Sequence, residues 1–171
     1  VKVRKHEPTA VLVGPPIKKE DDAEYVRQFM SLPGKKIVCG GTSSQIVAKY
    51  LGKEVGASVD FPDRDIPPIG YIDGIDLTTE GVVTIRRVLE ISERYLDPHD
   101  CAAKSFTKRD GASLLAKMLF EDTTEVNFFV GQAINEAHKG LPIETTMKLR
   151  LIDKLAENLK RMGKTVSVRY S

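Results

Sequence analysis

Tryptophan is absent from this chain, and only two cysteines and three histidines occur in its 171 residues. Each shortage removes a class of protein. Two cysteines, Cys39 and Cys101, far apart in sequence, are too few to make a disulfide framework in a chain of this size, which points to a reducing cytoplasmic setting. Few soft ligands, at spacings that match no zinc pattern, leave little basis for a structural metal. No apolar run reaches the length of a bilayer span, and the first residues lack a signal peptide's apolar core, so no membrane partner is expected. The formal charge of +2 is small, and the basic residues are interleaved with acids. Without a dense basic run or aromatics set in one, a nucleic-acid partner is not expected either.

What remains is an ordinary globular composition with a regular rhythm. Compact apolar runs at 10–14 (AVLVG), 35–40 (KKIVCG) and 125–132 (EVNFFVGQ) read as buried strands, with shorter strands at 57–61 and 164–170. Amphipathic helices are expected over 20–32, 43–51, 79–95, 111–122 and 145–163. The first carries acids in its opening turn and stops at Pro33-Gly34. The second has Ile46, Val47, Tyr50 and Leu51 on one face and Gly52 as its C-cap. The third has a core face of Val82, Val83, Ile85, Val88, Leu89 and Ile91, with Thr78 or Thr79 as its cap. Residues 62–77 read as loop, and Asp110 as the cap of the helix that follows. This alternation predicts an α/β fold: three layers, a mostly parallel sheet with helices on both faces, Rossmann-like in broad architecture.

Three of the strands end in glycine, at Gly14, Gly40 and Gly131. If parallel, they bring those glycines to one sheet edge, where doubly wound folds bind ligands. The densest of these corners is CGGTSS. Gly40 and Gly41 let a ligand approach the backbone, the helix start offers unpaired N–H groups, and Thr42, Ser43 and Ser44 add hydroxyls. A phosphate or carboxylate suits that set. The competing reading is a tight turn with Thr42 or Ser43 as N-cap. No lysine follows the glycines, so this is not a P-loop.

Other candidates gather around this corner. Thr78, Thr79 and Glu80 open the next predicted helix, and Asp73 and Asp76 beside them fit either turn roles or a sugar hydroxyl or hydrated cation. Asn135 and His138 follow the third glycine-ended strand, and His138 could donate a hydrogen bond to an anion or serve as acid or base. Cys39 is either a reactive thiol at a helix start or an inert core residue. His99, Asp100 and Cys101 do not converge in any recognised metal pattern.

Taken in order, VLVGPP, GKKIVCGGTSSQIVAKYLGKEV, DIPPIGYIDGIDLTTEGVVTIRRVLE, DGASLLAKMLFE and FFVGQAIN resemble the C-terminal region of SpoIIE-like bacterial serine/threonine phosphatases, of the metal-dependent phosphatase family. The resemblance covers nearly the whole chain and weakens over 97–110. It implies that residues 1–8 are the remnant of an upstream phosphatase strand and its connector, and that 9–171 form one accessory domain. It also implies that the catalytic aspartates and their divalent cations belong to that upstream domain, leaving no catalytic residue and no cofactor in this chain. The expected partners are the upstream phosphatase domain, a small anionic ligand and a second copy in a homodimer. The expected ligand residues are Gly40, Gly41, Thr42, Ser43, Ser44, Thr78, Thr79, Glu80, Gly131, Asn135 and His138. The alternatives are a stand-alone phosphate-ester hydrolase or transferase using the same cleft, with His138 or Asp76 as acid/base, and a structural or dimerisation domain presenting a helix face over 79–95.

Overall fold

In the computed structural model, residues 7–57, 70–99, 111–133 and 142–171 are described. Five strands form a parallel sheet: β1 (Pro8–Val13), β2 (Lys35–Cys39), β5 (Leu77–Thr79), β6 (Glu125–Val130) and β7 (Thr165–Tyr170). Two short antiparallel strands, β3 (Gly56–Ala57) and β4 (Gly70–Tyr71), extend it, giving the order β3-β4-β5-β2-β1-β6-β7. Strands covered on both faces read as continuous apolar runs. That is why β1, β2 and β6 are conspicuous in sequence, whereas β7, at the edge, shows alternation.

The two-residue period of the strands divides the core. Ala10, Leu12, Val38 and Phe129 point to one face, where Tyr25, Val26 and Phe29 of α1 (Asp22–Ser31) and Val47 and Ala48 of α2 (Gly41–Leu51) cover them. Val11, Val13, Ile37, Cys39, Phe128 and Val130 point to the other. There they meet α3 (Val82–Leu96), α4 (Gly111–Phe120) and α5 (Pro142–Arg161). Phe29 and Phe129 meet edge to face, with ring centroids 5.9 Å apart, and anchor the first layer. Between α3 and α5 the buried Asn158 amide donates to Ser92 Oγ (2.9 Å), so that polar pair is satisfied inside the second layer. The three-layer α/β architecture expected from the sequence is therefore present.

Several local expectations need correction. Thr78 and Thr79 do not open a helix. They lie in β5, paired with Val38 and Cys39, and α3 begins only at Val82. Val83, expected in the core, is 53% exposed. The rest of the apolar side of α3 packs against α4 and α5. The supposed loop 62–77 contains β4 and the start of β5. Helix α2 begins two residues before its expected start, and Tyr50 lies outside its buried stripe. Its Gly52 C-cap is left-handed as expected, with φ 67°. Asp110, as well as Asp100 and Cys101, lies outside the described residues.

Candidate functional site

The parallel register sets Val13 beside Cys39 and beside Val130. Gly14, Gly40 and Gly131 therefore stand in a row along the carboxyl edge of the sheet. A crevice opens on such an edge where the helices following two neighbouring strands leave toward opposite faces. This sheet has two such places. Strand β1 leads to α1 on one face and β6 to α5 on the other. Strand β2 leads to α2 on the first face and β5 to α3 on the second.

The first of these places is closed by backbone. Gly131 N–H donates to Val13 O (2.9 Å) and Ala133 N–H to Pro15 O (3.2 Å), so the chain after β1 lies directly on the chain after β6. A Cβ at Gly131 would stand 2.0 Å from Pro15 O. The Tyr25 hydroxyl donates to Phe129 O (2.8 Å) and approaches Gly14 O (3.2 Å) from the α1 side. From the α5 side the Lys148 ammonium donates to Gly131 O. Lys148 is buried, and burial lowers the pKa of its ammonium. Gly131, counted among the ligand residues, is thus buried with both its N–H and its carbonyl engaged. Lys148 escaped the sequence reading, although a signal was present: it falls on the apolar stripe of α5 with Ile152, Leu155 and Leu159, at spacings of four, seven and eleven.

The second place is built differently. Gly40 sits at the N-cap of α2 with φ 119°, a conformation that favours glycine, and no side chain caps the helix. Neither Thr42 nor Ser43 is the cap: Thr42 is exposed, and Ser43 is inside the first turn. The Ser44 hydroxyl is used locally, donating to Gly40 O (2.7 Å), to which Ser44 N–H also donates (2.9 Å). Among the described residues, the N–H groups of Gly41, Thr42 and Ser43 have no acceptor. Ser43 is 1% exposed, and its Oγ has no hydrogen-bond partner among the described residues. That oxygen lies 3.2 Å from the position a Cβ would take on Gly40, so it faces the mouth of the helix. Gly41 has nothing within 4 Å of its Cβ position, so there is free space beside the first helical residue.

Strand β5 supplies the opposite wall. Gly40 N–H donates to Thr79 O (2.8 Å), and the Cβ position of Gly81 is 3.6 Å from Gly40 Cα. Glu80 lies between those two contacts. Its Oε2 is buried without a hydrogen-bond partner among the described residues, as is the Oγ1 of Thr78. Thr78 pairs with Val38, and so stands on the face that α2 covers. Thr79 points the other way, toward Cys39, and its hydroxyl donates to Glu80 O (2.9 Å). The start of α3 just beyond, with Gly81 at its N-cap, is likewise without a side-chain cap.

The remaining candidates are accounted for without a ligand. Asp76 Oδ2 accepts Lys36 N–H (2.7 Å) and Asp76 N–H donates to Lys36 O (2.9 Å), clipping the approach to β5 onto β2. Asp73 is exposed and pairs with Lys53 at 3.4 Å. Burial pushes the Cys39 thiol up to about 12, with a Thr79 hydrogen bond partly offsetting it and the Glu80 carboxylate adding to it. Cys39 is accordingly a core residue rather than a thiolate nucleophile. His99 is exposed, its N–H bonded to Asp97 Oδ1 (2.9 Å). Asn135 and His138 lie outside the described residues. Among the described residues no group of His, Cys, Asp or Glu is placed to hold a metal, and no helix is long and apolar enough to cross a membrane. No family model, curated protein or solved structure matches the chain.

Proposed function

We propose that this chain is a ligand-binding module, the C-terminal accessory domain of a SpoIIE-like cytoplasmic phosphatase, and that it takes a small phosphate-bearing anion at the mouth of α2. One observation carries the reading: an open, uncapped helix start with the buried Ser43 hydroxyl facing it unpartnered. Leaving a buried hydroxyl unpaired costs about 1–3 kcal/mol, so the arrangement favours an occupant that pairs it. The helix macrodipole and the free N–H groups of Gly41 and Thr42 make an anion the fitting one. The resemblance to SpoIIE-like proteins supports the accessory role, and the upstream phosphatase domain is the partner whose activity the ligand would bias. A stand-alone hydrolase draws no support from Asp76, whose carboxylate is engaged by the β2 backbone.

A thermal-shift titration with inorganic phosphate, phosphate monoesters and nucleotides tests this. A ligand at a hundred times its Kd adds about 2.7 kcal/mol to folding stability, which a melting curve resolves. Gly41→Asp places a carboxylate over the same N–H groups where the fold has room for it. The expected result is a variant as stable as the wild type whose ligand shift is lost. No shift with any of these ligands, or a shift that survives in Gly41→Asp, overturns the reading.

A further inference from the structure

Anion binding at α2 leaves two polar atoms of the site unexplained. Glu80 Oε2 and Thr78 Oγ1 are both buried and, among the described residues, both without a partner. A carboxylate oxygen accepts and never donates, so only a hydrogen-bond donor satisfies Glu80. Both residues flanking Glu80 touch Gly40: Thr79 O accepts Gly40 N–H, and Gly81 packs against Gly40 Cα. The Glu80 backbone is therefore held beside the mouth of α2. Thr78 stands on the α2 side of the sheet next to it and is 3% exposed.

These atoms, on residues that lie next to Gly40 or follow it, set opposite demands. The N–H groups of α2 call for negative charge, and Glu80 repels it. A bare phosphate satisfies the first and suffers from the second. A ligand with hydroxyl groups next to its phosphate satisfies both: the phosphate faces α2, and a hydroxyl donates to Glu80 Oε2 while another pairs with Thr78 Oγ1. We infer that the ligand is the phosphate ester of a polyol, a class that includes sugar phosphates and the ribose phosphate of nucleotides, and that Glu80 is the residue that reads its hydroxyls. This rests on the proposed anion site at α2 and assigns the second half of it.

Isothermal titration with three probes tests the assignment: inorganic phosphate, ethyl phosphate, which has no hydroxyl, and glycerol phosphate, which has two. Hydrogen bonds to a charged group differ from an unpaired one by about tenfold or more in affinity, so wild type should prefer glycerol phosphate to ethyl phosphate by at least about tenfold. Glu80→Ala removes the acceptor and the repulsion together. It should weaken glycerol phosphate about tenfold while leaving ethyl phosphate unchanged or tighter, an opposite response that a general loss of structure does not produce. Glu80→Gln keeps an acceptor oxygen without the charge and should retain part of the preference. Equal affinity of the two esters in wild type, or a Glu80→Ala effect of the same size and sign on both, overturns the inference. If inorganic phosphate binds and is lost in Gly41→Asp while glycerol phosphate shows no advantage, the hydroxyl assignment fails and the anion site stands. If none of the three binds, both fail.

Discussion

Replacing Gly131 by alanine tests the closed seam between β1 and β6. The new Cβ would lie 2.0 Å from Pro15 O, 2.2 Å from Pro15 C and 2.4 Å from Gly14 O. All three are backbone atoms, so no side chain can swing away. Real Cβ contacts stay beyond 3.0 Å, so the segment after β1 must retreat by at least 1 Å, the difference between 3.0 and 2.0. That retreat stretches Gly131 N–H to Val13 O and Ala133 N–H to Pro15 O, at 2.9 and 3.2 Å, out of hydrogen-bonding range. Two such bonds contribute about 1 kcal/mol each, and overpacking a close contact costs about 1–3 kcal/mol more. The expected destabilisation is about 3–5 kcal/mol. At about 2–4 °C per kcal/mol for a chain of this size, the melting temperature should fall by at least about 6 °C. Gly41→Ala is the control, because its Cβ meets nothing and its φ is not positive; it should match wild type or exceed it by up to about 1 kcal/mol. Chemical denaturation followed by circular dichroism measures both. Gly131→Ala within about 0.5 kcal/mol of wild type refutes the tight seam.

Tyr25→Phe deletes a donor to Phe129 O and Gly14 O and should cost about 1–2 kcal/mol in the same denaturation assay. Asp76→Ala frees Lys36 N–H and should cost a similar amount while leaving any ligand-induced thermal shift intact, as befits a structural clip. Alkaline titration reads Cys39: its folded pKa of about 12 is raised from 9.0, so its contribution is present below pH 9 and is lost between pH 9 and about 12. Stability measured across that window should fall less steeply in Cys39→Ala than in wild type. Lys148 has the opposite sign, because burial lowers the pKa of a base. Wild type should therefore gain on Lys148→Met as the pH rises toward the ordinary lysine value of 10.5, and parallel curves for the two would count against a buried ammonium.

The parts of the fold legible in the sequence are those where one force dominates. Strands β1, β2 and β6 are buried on both faces, so their composition alone marks them, and their glycine ends mark the edge they share. Strand β5 has three residues, too few to show a period, and its threonines resemble a helix cap until Val38 and Cys39 are seen to pair with them. The corner at 40–44 was located correctly but its cap was not. Turning from strand to helix requires φ 119° at residue 40, which selects glycine there and moves the hydroxyl residues inside the helix, where they no longer cap it. In the sequence Glu80 reads as one of the residues around this corner. Its isolation as a buried acceptor depends on contacts between residues some forty positions apart, which no local pattern encodes.

The existence of a second crevice follows from chain direction and handedness. A crossover between parallel strands is right-handed, so the face that its helix covers is set by the direction in which the chain steps across the sheet. From β1 through β2 to β5 the chain steps one way, and α1 and α2 cover one face. At β5 it turns back, passing β2 and β1 to reach β6, and α3 must cover the other face. Strand β5 is thus the turning point of the parallel sheet. Its helix and that of its neighbour β2 diverge by necessity, leaving their uncapped ends on either side of one edge. The same reversal produces the gap between β1 and β6, but there Gly131 backs directly onto Pro15, with Lys148 bonded to its carbonyl. Between β2 and β5, Gly81 approaches Gly40, and among the described residues Ser43, Thr78 and Glu80 find no partners for their buried atoms. Topology supplies two candidate crevices, and the side chains distinguish the one that still has hydrogen bonds to make.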